Sequence, residues 1–217
     1  MLRALGHPVT LLGLVVGFLL AVAAAAGAQA LLGGRSGPAT PHRPRDAARL
    51  LDPYGAVAAI VGGAGWGANR PANARSRGAR IAAYLAGPIA AAAVAAVLLV
   101  GYVAAGGARF FLSVLTVGNV LTGVQLPAEQ TVLLCGGLEA AAVAVLMLVP
   151  LPPLPGWRIA CELVSPSPGW QRARYQLEDR NIGAAILLVV AVFPPGGAGP
   201  ILLRIVDGIV GTVLGAV

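Results

Sequence analysis

The 217-residue chain has no lysine, two cysteines, two histidines and few charges of either sign. Each scarcity excludes something. Only 11% of residues are charged, where a soluble domain carries about 25%, so too little polar surface remains to coat a globule in water. Cys135 and Cys161 are too few for a disulfide framework. His7 and His42 are too few and too far apart for most histidine-based metal chemistry. What is abundant is apolar: 58% of the residues, with a mean hydropathy of +0.83. A chain of this kind is solvated by lipid. Its 15 basic residues are all Arg and outnumber 8 acids, giving a net charge of +7. The Arg-only, Ala-rich usage fits a GC-rich bacterial genome, and the expected location is the cytoplasmic membrane of such a cell.

A transmembrane helix needs about 20 mostly apolar residues to cross ~30 Å of hydrocarbon. Such stretches run over about 9–32, 81–106 and 131–149. A C-terminal pair, about 182–193 and 201–217, is split by the segment Pro194 to Pro200, and both arms are short for a span. The expected fold is therefore all-α: one polytopic membrane domain over 1–217 with about five spans. The stretch 54–67 is different. It holds five glycines and lies between two Arg-rich flanks. Arginine prefers the cytoplasmic side, so two basic flanks argue that the stretch enters and leaves on one face, as a re-entrant or half-spanning element. Such backbone is tolerated only where protein buries it.

The arginines orient the rest. Four lie in each of three segments, 33–50, 68–80 and 150–181, while the connector from Gly107 to Glu129 has only Arg109. The three basic segments are expected in the cytoplasm, against anionic headgroups. That placement explains a pI near 10.7 without nucleic acid as a partner. At the N-terminus, Arg3, an apolar run and Ala28-Gln29-Ala30 resemble a cleavable secretory signal. The run is longer than a signal core and the basic segment after it resists translocation, so it is expected to stay as a helix.

Several local features carry specific expectations. Gly13-x-x-x-Gly17 and Gly211-x-x-x-Gly215 are small-residue faces suited to close helix packing, within the molecule in the simplest reading. Residues 168–180, with Trp170, Tyr175, Arg172 and Arg174, suit a short interfacial helix or a solvated loop. Arg204 and Asp207 lie three apart and can pair on one helix face. Glu139 sits near the middle of the third span without a partner in its own helix. An intramembrane carboxyl calls for a role: either a protonated or hydrogen-bonded structural group, or a carboxylate that meets an Arg of a partner.

The order of motifs adds a resemblance. Leu50-Leu-Asp-Pro-Tyr-Gly55 is followed by Gly65-Trp-Gly67 and Arg70-Pro-Ala-Asn-Ala74. Ala86-Gly-Pro-Ile-Ala90 comes next, then Val149-Pro-Leu-Pro-Pro-Leu-Pro-Gly-Trp-Arg-Ile159. Over about residues 15 to 195 this resembles the site-2 protease family of intramembrane zinc metalloproteases. The resemblance implies two histidines and a glutamate from His-Glu-x-x-His on the first helix. A third ligand, an aspartate, is implied in the proline-rich loop.

This chain departs from that pattern at every chemical position. Ala25 falls at the first histidine, Ala26 at the glutamate and Gln29 at the second histidine. Pro155 stands at the loop aspartate, and Met147 and Ala91 stand where the family commonly has asparagines. Zinc catalysis needs three protein ligands and an open position. The expectation is a catalytically inactive relative with no metal and no other cofactor, and no small-molecule substrate is evident. It would act as a scaffold or accessory subunit among membrane lipids and other integral membrane proteins. Its contacts would be Glu139 and the loop residues Pro150, Pro152, Pro153 and Gly156, where fixed proline φ values predict a rigid extended segment. Two alternatives stay open. One is an active protease using Glu139, Cys135, Cys161, Glu162 or Asp52. The other is a transport or channel component built on the glycine-rich re-entrant segment.

Overall fold

The structure is a computed structural model that describes residues 1–33, 51–69, 72, 74, 76–114, 116–165, 167–193 and 200–215. The basic segment after Gly33, with Arg35, Arg43, Arg45 and Arg49, lies outside the described residues, as do Arg70, Arg75 and the break 194–199. A 3-10 turn, Leu2–Ala4, precedes α1, Pro8–Leu32. Then come α2 (Pro53–Gly62), α3 (Arg77–Ala104), α4 (Phe110–Val114), α5 (Val117–Val120) and α6 (Ala128–Met147). The chain continues with α7 (Pro155–Leu163), α8 (Pro168–Arg174), a π turn (Tyr175–Asp179), α9 (Ile182–Val192) and α10 (Ile201–Gly215). No strand occurs among the described residues.

Helices α1, α3 and α6, of 25, 28 and 20 residues, are long and apolar enough to cross a membrane. They pack on one another as a three-helix core. Their starts follow ordinary capping chemistry. Pro8 opens α1, where its missing N–H costs nothing. The Ser76 side chain accepts from Ala79 N at 3.2 Å at the head of α3. Glu129 sits in the first turn of α6, where the helix dipole favours an acid.

Glycine sets how closely these helices approach. A Cβ on Gly17 would collide with the backbone of Gly136, and one on Gly13 would crowd Val132 at 3.0 Å. The Gly13/Gly17 face is therefore spent inside the molecule, against α6. Lipid tails are as apolar as Leu, so such contact by small residues, rather than a hydrophobic drive, holds helices together in a bilayer. The Gly208/Gly211 face of α10 differs, with nothing within 4 Å of either added Cβ.

Helix α2 is capped by Asp52, whose Oδ1 accepts from Tyr54 N at 2.8 Å and Gly55 N at 3.1 Å. It ends at Gly63, left-handed at φ 99°, a conformation that favours glycine. The chain then returns past α2, burying Trp66 completely, until Gly67 pairs with Leu51. Entry and exit thus lie side by side, the geometry a re-entrant element requires. The far end of α2 rests on α9, where a Cβ on Gly62 would strike the Ala191 carbonyl.

One end of the bundle gathers the polar parts. Gln29, near the end of α1, lies against Gly87, near the start of α3. The head of α3 is tied to α7 by Arg80 and Glu162. Pro152, just past α6, abuts Gly183 in the first turn of α9. The described parts of the basic segments therefore share one end of the bundle. The opposite end holds His7 against Gly123, and Gln130, which donates to Ala105 O at 2.8 Å.

Two sequence expectations are corrected. Arg204 and Asp207 make no ion pair. Asp207 turns instead to α5, accepting from Gly118 N at 3.1 Å, because a backbone donor there meets the carboxylate across the fold. The proline-rich loop is turned rather than extended. Val149 N donates to Leu146 O, Leu151 N to Val149 O and Leu154 N to Leu151 O, so the N–H groups left between the prolines close turns. In the connector after α3, Val117, Val120 and Leu121 are buried in the core, and α4 and α5 pack against α10.

Candidate functional site

Ala25, Ala26 and Gln29 all point into the core of α1: Ala25 is 1% exposed and Gln29 5%. The Gln29 Nε2 has no hydrogen-bond partner, and a Cβ on Gly87 would sit 2.6 Å from it. The glycine of Ala86-Gly-Pro thus makes room for the Gln29 amide. Pro155 is buried as the first residue of α7, where a ring without an N–H is accommodated. Gly156 beside it admits the Leu148 and Val149 carbonyls, which a Cβ would displace.

Zinc, the metal implied by the resemblance, does not fit these residues. Two alanine methyls have no lone pair, the orphaned end of Gln29 is a donor rather than a ligand, and proline offers no side-chain donor atom. Among the described residues no three His, Cys, Asp or Glu side chains come together closely enough to hold a metal. The alternative donors are dispersed. Asp52 caps α2, Glu162 pairs with Arg80, and Cys135 and Glu139 are buried in α6. Burial also pushes the Cys161 thiol up, away from thiolate.

Glu139 is fully buried, and neither carboxyl oxygen has a hydrogen-bond partner. A charge acting on it is the Met1 amino group, whose nitrogen donates to Ala59 O at 2.9 Å and Ile60 O at 2.8 Å. Of the loop positions, Pro150 is exposed, Pro153 half-buried, and Pro152 and Gly156 buried.

The most polar construction lies at the basic end and centres on Glu178. Its Oε1 meets Arg158 at 2.7 Å, and its Oε2 accepts from Trp157 Nε1 at 3.3 Å and Arg174 Nε at 3.2 Å. Burial works to raise its pKa. Arg158, the Trp157 N–H and Arg174 outweigh that and hold it below the usual carboxylate range. The Trp157 and Trp170 rings meet with centroids 5.2 Å apart and planes tilted by 37°, a contact that joins α8 to α7. A second tie joins α7 to α3: Arg80 donates to both oxygens of Glu162, at 2.8 and 2.7 Å. Chiefly through that hydrogen bond, Glu162 is also held low. Between this platform and the segment that returns past α2 is a cavity of about 230 Å³ lined by Asp52, Asn69, Pro152, Pro153, Trp157 and Glu178 among others. The Asn69 Oδ1 is buried with no partner.

The sequence left Arg172, Arg174, Trp170 and Tyr175 on either a short helix or a solvated loop, and α8 with its π turn is helical there. It missed Glu178, Arg158, Trp157 and the Arg80–Glu162 pair. Arg174 and Glu178 are four apart, so that contact was visible as an i,i+4 pair. Arg80 and Glu162 are separated by 82 positions, and no local signal joins them. No family model matches the chain, and no curated protein or solved structure matches it.

Proposed function

We propose that this chain is a catalytically inactive relative of the site-2 proteases, acting as a scaffold or accessory subunit of a complex in a bacterial cytoplasmic membrane. The observation that carries this reading is the state of α1. Where a hydrolase of that family would present two imidazoles and a carboxylate, Ala25, Ala26 and Gln29 are buried against neighbouring helices. The motifs around them keep packing reasons of their own, as with Gly87 under Gln29 and Gly156 under the end of α6. A fold whose close contacts persist without its ligands is suited to binding rather than hydrolysis, although fold alone does not dictate function.

In this reading α1, α3 and α6 cross the bilayer. The α2 hairpin and α9 enter from the cytoplasmic face, and α10 completes the far side. The basic end lies in the cytoplasm, following the arginine bias. Partners meet the loop at Pro150 and Pro153 and the outer apolar faces of the helices. Glu139 is a structural carboxyl, and Pro152 and Gly156 support the loop from beneath.

The test is solubilisation of the full chain from its own membrane in a gentle detergent, followed by mass spectrometry. One or more integral membrane proteins recovered at a fixed ratio is the expected result. A clean monomer with no partner contradicts the reading.

A further inference from the structure

Helix α9 carries an apolar groove of about 340 Å³ on its outer side. Ile182, Ala185, Ile186, Val189 and Val190 form its length, and Arg180 and Asn181 form its head. Ile182, Ile186 and Val189 follow at i, i+4 and i+7, one face of a helix, and they are 36, 40 and 60% exposed. The Arg180 guanidinium has no hydrogen bond or ion pair among the described residues. The neighbouring acids leave it so: Glu178 is engaged by Arg158, Arg174 and Trp157, and the exposed Asp179 forms no ion pair with it.

The groove has a definite depth. Its head lies beside Pro152, just past the end of the 20-residue α6. Its foot lies at Val190, next to Ala191, where α9 meets the end of α2. From Ile182 to Val190 the helix rises about 12 Å at 1.5 Å per residue. A leaflet is half of a ~30 Å hydrocarbon core, so the groove runs along most of the depth of one leaflet.

We infer that this groove is a binding site for one anionic phospholipid, with its phosphate at Arg180 and one acyl chain along Ile182, Ile186 and Val189. A guanidinium offers paired N–H donors that match phosphate oxygens. The first turn of α9 adds positive potential at the same point, since the Asn181 side chain does not cap it. The lining below is apolar throughout, which suits a hydrocarbon tail and no polar solute. The site requires a bundle embedded in a bilayer and is independent of the reading about catalysis.

The full chain, purified in detergent, is offered equimolar phosphatidylglycerol and phosphatidylcholine, and retained lipid is read by native mass spectrometry. Wild type should keep one phosphatidylglycerol per chain in preference to phosphatidylcholine. Arg180→Ala should lose that preference about fivefold, the effect of one arginine at an anionic surface, while Arg172→Ala, an equally exposed arginine on α8, should not. Equal losses in both variants, or none in Arg180→Ala, would overturn the site in favour of diffuse attraction. Inorganic phosphate alone displacing the lipid at millimolar concentration would overturn the contribution of the groove.

Discussion

The three-helix core and the platform at its basic end are held by opposite means. Where α1 meets α6, Gly13, Gly17 and Gly136 bring two backbones together, and no side-chain ion pair is involved. At the platform, Glu178 binds two arginines and a tryptophan, Arg80 grips Glu162, and two indoles meet in tilted contact. The difference follows the solvent. In lipid, shape is the available adhesive, whereas at the headgroup boundary charged groups can be both paired and hydrated.

The largest effect should come from breaking the core by shape. Gly17→Leu places a side chain where Gly136 backbone stands and should cost at least about 3 kcal/mol. Gly27→Ala, in the same helix with nothing within 4 Å, should be neutral or stabilise by up to ~1 kcal/mol. Unfolding in mixed micelles measures both, and similar losses would show that the close approach is not what holds α1 to α6.

The platform should break by charge and more gently. Glu178→Ala leaves Arg158 and Trp157 without their acceptor and should cost roughly 1–3 kcal/mol, seen as a change in tryptophan emission as Trp157 and Trp170 separate. The pH response has a definite sign. Glu162 and Glu178 are held below the usual carboxylate range, so their contribution is complete above the unfolded value of about 4.3. It fades as pH falls through the lower folded values. The emission should stay constant at pH 5 and change only well below pH 4.3. A transition between pH 5 and 6 would contradict the assignment.

The smallest effect concerns α10. Arg204→Gln should change stability by no more than about 0.5 kcal/mol, because Arg204 is exposed and makes no pair with Asp207. Asp207→Asn should cost more, since it weakens the acceptor for Gly118 N. Equal losses in the two variants would restore the pair.

What could be read from the sequence follows the range of the interaction. Long apolar runs expose the three spanning candidates directly, and Arg flanks around five glycines point to a hairpin whose ends meet at Leu51 and Gly67. Helix α7 escaped because its prolines read as a loop, although Pro155 at its first position is a start signal. Asp207 misled because a partner three residues away was visible, whereas Gly118, 89 positions away, was not. The candidate centre was legible only as a set of departures from the site-2 protease pattern along α1. Its physical filling, the Gln29 amide over Gly87, was not, because that contact belongs to the meeting of two helices.

The most direct test of the proposal that the chain is a site-2 protease relative without a metal centre is the zinc content of the full chain, purified without chelator and then dialysed against one. No stoichiometric zinc should remain, and Gln29→Ala should leave the value unchanged. One tightly held zinc per chain, lost on substituting Gln29, would contradict the account.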